Sequence, residues 1–218
     1  MARSLPPLAA ILLLVPIAAH ARPTPADDTQ WWQELDLTGS LARQFTYLVA
    51  GFTRFSDNDP NPALSGAGGF LTFTQGSLAY TLGYLHAQVR IPGNGDRLNA
   101  DLPIAAATGT IKSGFVTLSN RLRVEDLIGV PGHPWRYRNL LSVNAAPSGW
   151  GPIQALVVSD EIFIDLNPSG LARNRLILGP VFGVSKRFTL SLDYVNERDI
   201  GARPGRIRGA SIDASVHL

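Results

Sequence analysis

The chain has 218 residues, 45% of them hydrophobic, and its 19 basic and 17 acidic side chains leave a formal net charge of +2. A charge this small, without a basic run, gives no indication of a nucleic-acid partner. Because the chain has no cysteine, disulfides, thiolate chemistry and Cys-ligated metals are excluded. We expect neither a metal nor another cofactor.

The first 21 residues have the pattern of a secretory signal peptide. Arg3 precedes the apolar run 8–19, and Ala19-His20-Ala21 fits the small-x-small cleavage pattern. A membrane anchor is the alternative, but the run is shorter than the roughly 20 residues that a spanning helix needs. We expect cleavage after Ala21, a short N-terminal lead over residues 22–28 and one domain over residues 29–218.

Turn-rich segments divide that domain into about ten strands, and no helical period competes with them. The predicted strands cover 29–38, 43–55, 68–74, 78–89, 112–125, 135–146, 153–166, 174–184, 187–197 and 207–218. Alternating strands of about ten residues are typical of outer-membrane barrels. We predict an all-β fold, a single antiparallel transmembrane β-barrel of about ten strands, or twelve. A secreted β-sandwich is the alternative, but its strands are shorter.

The first hairpin is predicted to turn at Gly39-Ser40. Two later connections are too long for this topology. If both termini lie in the periplasm, the connections 56–67 and 90–111 fall on the periplasmic side, where turns are normally short. Either one strand near the N-terminus is missing, with 102–108 its best position, or these two turns carry insertions.

Four consecutive predicted strands carry charged side chains at alternate positions. An arginine facing lipid at the bilayer midplane would cost roughly 2–4 kcal/mol, so we expect these side chains to point into the lumen. Glu161 should be surrounded by four arginines, which are Arg121, Arg123, Arg138 and Arg175. Glu125 and Asp165 should lie nearer the strand ends. Asn120, Asn139 and Asp160 are polar exceptions on the opposite, apolar face. The complete predicted lumenal cluster is Arg121, Arg123, Glu125, Arg136, Arg138, Glu161, Asp165, Arg173 and Arg175.

The last twelve residues form the clearest strand. Its apolar face consists of Ala210, Ile212, Ala214, Val216 and Leu218, and polar residues or glycine alternate with them. A chain that ends on an apolar strand residue is typical of outer-membrane barrels. We therefore expect a monomer in the cell outer membrane that contacts outer-membrane lipid and lipopolysaccharide. We also expect the barrel assembly machinery to recognise this strand.

The charged strands resemble one known family. The segments are Asn120-Arg-Leu-Arg-Val-Glu125, Trp135-Arg-Tyr-Arg-Asn139, Glu161-Ile-Phe163, and Ala172-Arg-Asn-Arg175 with Gly179. They are similar to the successive motifs of a Gram-negative outer-membrane barrel family catalogued as domain of unknown function 2490. Gln30-Trp-Trp32 is similar to that family's first strand. Leu140 stands where the family has a second arginine, and Leu218 where an aromatic ending is commoner. The resemblance implies an outer-membrane barrel without known activity.

The remaining candidate sites are weaker. The histidines His86, His133 and His217 are far apart and have no metal-ligand spacing. The glycine-rich segment 66–69 lacks the lysine and helix of a phosphate loop and is interpreted as a strand-entry turn. Four tryptophans are interpreted as membrane-interface anchors: Trp31, Trp32, Trp135 and Trp150.

Three functions compete at this point. The favoured one is a small outer-membrane barrel of structural or binding role with an ion-paired lumen, which is not an enzyme. The second is a narrow channel or solute-binding barrel, although open aqueous pores need about 16–18 strands. The third is an enzyme that modifies lipid or lipopolysaccharide, using Glu161 or Asp165 with a His or Ser.

Overall fold

The structure, a computed structural model, describes residues 27–57, 59–91, 95–132, 134–166, 169–200 and 205–218. All the secondary-structure elements of these residues are β-strands. No helix long and apolar enough to cross a membrane occurs among them. The predicted signal peptide lies outside the described residues. The strands are β1 (Asp27–Ala42), β2 (Phe45–Ser56), β3 (Asp59–Gln75), β4 (Leu78–Arg90), β5 (Arg97–Ser113), β6 (Val116–Asp126), β7 (Trp135–Ala145), β8 (Ile153–Leu166), β9 (Ser169–Ser185), β10 (Phe188–Asp199) and β11 (Arg206–His217).

The described strands form one closed barrel. Strands that follow one another in the chain pair antiparallel, and β1 closes the barrel by pairing parallel to β11. Asp27 lies opposite Arg206, and Thr38 lies opposite His217. An odd number of alternating strands makes a parallel closure unavoidable. The start of β1 and the end of β11 therefore lie at opposite ends of the barrel, and the expectation that both lie at one end is wrong.

The prediction of about ten strands is close, and β5 is the strand it lacked. The expected position of a missing strand, 102–108, falls within β5. The segment 112–125, predicted as one strand, contains the end of β5, a turn at Gly114-Phe115 and most of β6. Gly114 has a φ of 58°, the left-handed conformation that tight hairpin turns require. The small residues 105–107 gave β5 too little alternation to be recognised.

Glycines inside strands caused two wrong turn predictions. Gly39 lies within β1, where an added Cβ would come within 2.5 Å of the Tyr47 hydroxyl. Gly66 lies within β3, where an added Cβ would come within 2.7 Å of the Phe52 ring. Both glycines make room for an aromatic ring of the neighbouring strand rather than bend the chain. The first turn is 43–44, and β3 begins at Asp59.

The two ends of the barrel differ in the length of their connections. At what we call the turn end, the connections are 43–44, 76–77, 114–115, 146–152 and 186–187. At what we call the loop end, they are 57–58, 91–96, 127–134, 167–168 and 200–205. Four of the five at the turn end have two residues, and three of the five at the loop end have six or more. β11 ends at the turn end.

The predicted alternation of apolar and polar faces is confirmed on the outside of the barrel. Leu78, Tyr80, Leu82 and Tyr84 alternate along β4 and are 47–68% exposed. Leu192 and Tyr194 of β10 are 40% and 44% exposed. The outer face is thus apolar, as the sequence predicted.

Part of the lumen at the loop end is an apolar core. The residues after β6 return to β5, where Ile128 and Asp101 exchange two backbone hydrogen bonds of 2.9 and 3.0 Å. This return places Leu127 and Val130 against the inner faces of β4 and β5. The buried members of this core are Ala87, Ala100, Leu102, Ile104 and Leu127.

Candidate functional site

The other part of the loop-end lumen is filled by charged side chains, which we call the lumenal ion-pair cluster. They lie on alternate positions of β6, β7, β8, β9 and β10, so strand alternation directs them all inward. The cluster consists of Arg121, Arg123, Glu125, Arg136, Arg138, Glu161, Asp165, Arg173, Arg175, Glu197 and Asp199, with Phe163 among them. All nine charged residues predicted from the sequence are in it.

Glu161 lies near the centre of the cluster and is only 4% exposed. Arg138 holds it with two hydrogen bonds, from Nε to Oε1 at 3.0 Å and from Nη2 to Oε2 at 2.8 Å. The Nη2 of Arg121 donates to Oε1 at 3.1 Å, and the Nη1 of Arg175 lies 3.7 Å from Oε2. The bidentate contact of Arg138 is the strong form of an arginine–carboxylate interaction. Glu161 is thus surrounded by arginines from three strands.

A second carboxylate, Glu125, is 1% exposed. Arg123, predicted to surround Glu161, instead lies with its Nη2 2.7 Å from Oε2 of Glu125. The Nη1 of Arg138 lies 3.3 Å from the same oxygen, and the Nη1 of Arg136 lies 3.8 Å from Oε1. Arg136 also donates from Nε and Nη2 to the two oxygens of Asp165, at 2.6 and 3.2 Å. Arg136 and Arg138 therefore link the three lumenal carboxylates of β6 and β8, which are Glu125, Glu161 and Asp165.

The sequence analysis missed two carboxylates, Glu197 and Asp199 on β10. Glu197 is 1% exposed and accepts a hydrogen bond from the Nε of Arg175 at 2.6 Å, with the Nη1 of Arg173 at 3.3 Å. Asp199 accepts from the Nε and Nη2 of Arg173 at 2.5 and 3.0 Å. The available signal was the alternation of β10, which puts both residues on the same face as Asp193, with Val195 between them.

The ring of Phe163 makes cation–π contacts with three of the arginines. It is 2% exposed, and the guanidinium carbons of Arg138, Arg175 and Arg173 lie 4.3, 4.8 and 5.5 Å from its centroid. Aromatic faces attract cations at such distances, and more strongly where water is excluded. The ring thus helps to hold positive charges that the carboxylates alone do not balance.

Trp32 is not an interface anchor, which corrects the sequence interpretation. It is 6% exposed inside the barrel, and its ring lies under two arginines, with Arg54 of β2 at 3.8 Å and Arg175 at 5.0 Å. Trp135 and Trp150 are 51% and 47% exposed. In β1 the side chains alternate, so the neighbouring Trp31 points outward. Only one of the two adjacent tryptophans can lie on the outer face.

The lumen is different towards the turn end. Four carboxylates line it from β1, β10 and β11: Glu34, Asp36, Asp193 and Asp213. Hydroxyl groups accompany them, since Ser191 donates to Asp193 at 2.7 Å and Ser211 donates to Asp213 at 2.6 Å. On β3 and β4, which follow β2 around the barrel, the hydroxyls of Thr72 and Thr81 lie 2.8 Å apart. This part of the lumen is lined by small polar groups and acids.

The polar exceptions on the outer face pair with one another. Asn120 and Asn139 exchange side-chain hydrogen bonds of 3.1 and 3.3 Å. Asn174 donates to Asp160 at 2.8 Å. Pairing lowers the cost of polar groups on an apolar face.

The histidines lie apart from the cluster. His86 is on the outer face, where its Nδ1 lies 2.8 Å from Oδ1 of Asp101, an atom that also accepts from the Tyr84 hydroxyl at 2.5 Å. The Nδ1 of His217 lies 2.8 Å from the hydroxyl of Thr38. His133 lies outside the described residues.

Comparison with known proteins gives a family match. A family described as "Protein of unknown function (DUF2490)" matches residues 29–204. No curated protein matches the chain. Among solved structures, an anion-selective porin from Comamonas acidovorans is similar over 77% of this chain and 52% of its own, with 17% identity and a TM-score of 0.38. The chain thus spans about half the length of that porin.

Proposed function

Because the chain belongs to the DUF2490 family of proteins of unknown function, we propose that it is a small outer-membrane barrel of structural or binding role. Its lumen is closed by the lumenal ion-pair cluster. The observation that carries this proposal is the burial of Glu125, Glu161 and Glu197, which are 1–4% exposed and each paired with at least two arginines. Such tight packing among the described residues supports a lumen without a water-filled passage at the level of the cluster.

The outer face supports a location in a membrane. Aliphatic and tyrosine side chains are exposed on the strands from β1 to β10, beginning with Leu35 and ending with Tyr194. Soluble monomers rarely expose apolar patches larger than a few hundred Å². Short connections are typical of the periplasmic side of outer-membrane barrels, which supports an orientation with the turn end, where β11 ends, in the periplasm. The protein is then a monomer that contacts outer-membrane lipid and lipopolysaccharide, and β11 is the strand that the assembly machinery recognises.

The membrane location is tested by cell fractionation and gel mobility. We expect the protein in the outer-membrane fraction, and we expect it to migrate faster on a gel when it is not boiled, because a barrel stays folded in detergent. A soluble periplasmic monomer would contradict the proposal.

The closed lumen is tested by conductance in planar lipid bilayers. We expect the wild-type barrel to give no steady conductance above that of the lipid alone. The matched control is Asp160→Asn, a substitution on the outer face of β8, which should be equally silent. Steady ion flow through the wild-type protein would instead favour the narrow-channel alternative.

A binding role is favoured by the turn-end half of the lumen. The four carboxylates and the hydroxyls there are oxygen groups suited to a small cationic or polyhydroxy solute. A lipid-modifying enzyme built on Glu161 is not supported, because that carboxylate is 4% exposed and engaged by three arginines.

A further inference from the structure

Three exposed arginines form a patch on the outer face at the loop end, on the hairpin of β10 and β11. Arg198 of β10 lies directly opposite Arg206 of β11, and Arg208 is the next outward residue of β11. Neighbours Glu197, Asp199 and Ile207 point into the barrel, so strand alternation directs the three arginines outward. We call Arg198, Arg206 and Arg208 the arginine patch.

The charges of the arginine patch are not neutralised by the residues that the structure describes. None of the three guanidinium groups makes a hydrogen bond or ion pair with a described residue. On the outer face, Asp27 of β1 lies opposite Arg206 without forming an ion pair with it. Glu197 and Asp199 are occupied by Arg175 and Arg173 inside the barrel. Like charges directly opposite one another destabilise a sheet, so an external anion would relieve this repulsion.

The depth of the patch points to the anion. Tyr194 and Trp31 both lie opposite Ala210, on the two strands that flank β11. Tyr and Trp on an outer barrel face mark the level of the lipid headgroups. Arg208 and Arg206 follow two and four residues further towards the loop end, about 7 and 13 Å along the strand from the aromatic residues at 3.3 Å per residue. The guanidinium groups therefore lie at and above the headgroups of the leaflet at the loop end.

We propose that the arginine patch binds the phosphate groups of a phosphorylated glycolipid in that leaflet, the lipid A part of lipopolysaccharide. The planar fork of arginine matches phosphate geometry and forms strong charge-assisted hydrogen bonds with it. Thr29 and Asn196, which lie opposite Arg208 on either side, offer further polar groups. The proposal rests on the outer-membrane location proposed above, because a periplasmic protein would not meet this lipid.

The test compares two triple variants of the full-length protein with equal loss of charge. The first is Arg198→Gln, Arg206→Gln and Arg208→Gln. The matched control is Arg43→Gln, Lys186→Gln and Arg187→Gln, which removes three exposed positive charges from the turn end. Binding to the folded, detergent-solubilised barrel is measured for bisphosphorylated lipid A, dephosphorylated lipid A, phosphatidylglycerol and inorganic phosphate.

We expect the wild type and the control to bind bisphosphorylated lipid A with the same affinity. The affinity of the patch variant for it should be lower by at least about tenfold. Dephosphorylated lipid A should bind wild type as weakly as the patch variant binds the phosphorylated form. Equal affinity of the two triple variants would overturn the proposal, and so would equal binding of phosphatidylglycerol and lipid A. Preference for inorganic phosphate over lipid A would assign the patch to a free anion and also overturn it.

Fractionation of the same variants separates this proposal from the proposed function. If both variants reach the outer membrane and lipid A binding does not depend on the arginine patch, only this inference fails. If the wild type is soluble in the periplasm, the proposed function fails with it.

Discussion

At the scale of single residues, the lumen depends on arginine rather than lysine. Only Lys112 and Lys186 are lysines among the 19 basic residues, and neither belongs to the lumenal ion-pair cluster. A buried carboxylate is tolerated when it is paired and hydrogen-bonded, and the planar guanidinium can serve two carboxylates at once, as Arg138 does for Glu125 and Glu161. Leu140, at the position of a family arginine, lies between Arg121 and Glu161 in the register, and Arg121 reaches across it.

Glu161→Ala should destabilise the barrel strongly. It leaves Arg121, Arg138 and Arg175 with one fewer carboxylate in a buried site, and breaking a buried ion pair costs about 3–5 kcal/mol. Glu161→Gln should cost less, because it keeps the shape and part of the hydrogen bonding. The measurement is the unfolding temperature in detergent. Asp160→Asn, on the outer face of the same strand, is the control and should lose little. An unchanged unfolding temperature for Glu161→Ala would contradict the inward assignment.

At the scale of strands and turns, glycine has two separate uses in this chain. Gly114 has a φ of 58° and nothing lies within 4 Å of where its Cβ would be, so only its backbone conformation matters. Gly39 lies in an extended strand, where the close approach of the Tyr47 ring requires it. Sequence patterns alone do not separate these uses, which explains the wrong turn at Gly39-Ser40 and the missed turn at Gly114.

Gly114→Ala should lower stability by about 1–2 kcal/mol, since a left-handed conformation is unfavourable for a residue with a Cβ. The matched control is Gly109→Ala in β5, where the added Cβ would meet only the Cδ2 of Leu78 at 3.8 Å. Unfolding temperatures in detergent give the comparison. If the two variants lose the same stability, the turn between β5 and β6 is placed wrongly.

Deletion of residues 215–218 should prevent assembly. This segment pairs β11 with both β1 and β10, and the backbone N–H of Leu218 donates to the carbonyl of Thr38 at 2.9 Å. Without it the barrel has an open edge, whose backbone groups cannot be satisfied in lipid. The measurement is the amount of protein in the outer-membrane fraction. Leu218→Phe, which keeps an apolar ending, should assemble normally, and normal levels of the truncated chain would refute the expectation.

At the scale of the whole molecule, the odd number of described strands decides how the barrel closes. A barrel of ten or twelve alternating strands closes with an antiparallel pair, whereas β1 and β11 run parallel. Because the number of strands is odd, the first described strand begins at the loop end while β11 ends at the turn end. The same parity also brings Trp32 of β1 and Arg54 of β2 to the edge of a cluster that is otherwise built by β6 to β10.

Disulfide cross-linking can test the parallel closure, because the chain has no cysteine of its own. Gln33 lies opposite Ile212, and Leu37 lies opposite Val216, so cysteines at either pair should cross-link at disulfide distance. The crossed combination, Gln33→Cys with Val216→Cys, is four residues out of register, roughly 13 Å, and should stay reduced. Efficient cross-linking of the crossed pair would indicate an antiparallel closure and a different strand count.

The sequence by itself determined the barrel class and the nine charged residues that face inward. Both follow from the alternation of side chains along a strand, which is local and can be counted without knowing which strands meet. The same counting puts Glu197 and Asp199 on the inward face of β10, although the apolar Val195 separates them from the polar residues that precede it.

Only the tertiary structure decided how those residues combine. Arg123 binds Glu125 rather than Glu161, Trp32 lies inside under Arg54, and β1 closes parallel to β11. Each of these facts depends on cross-strand register and on the number of strands between two points of the barrel wall. Register and closure are set when distant parts of the chain meet, so no local pattern in the sequence carries them.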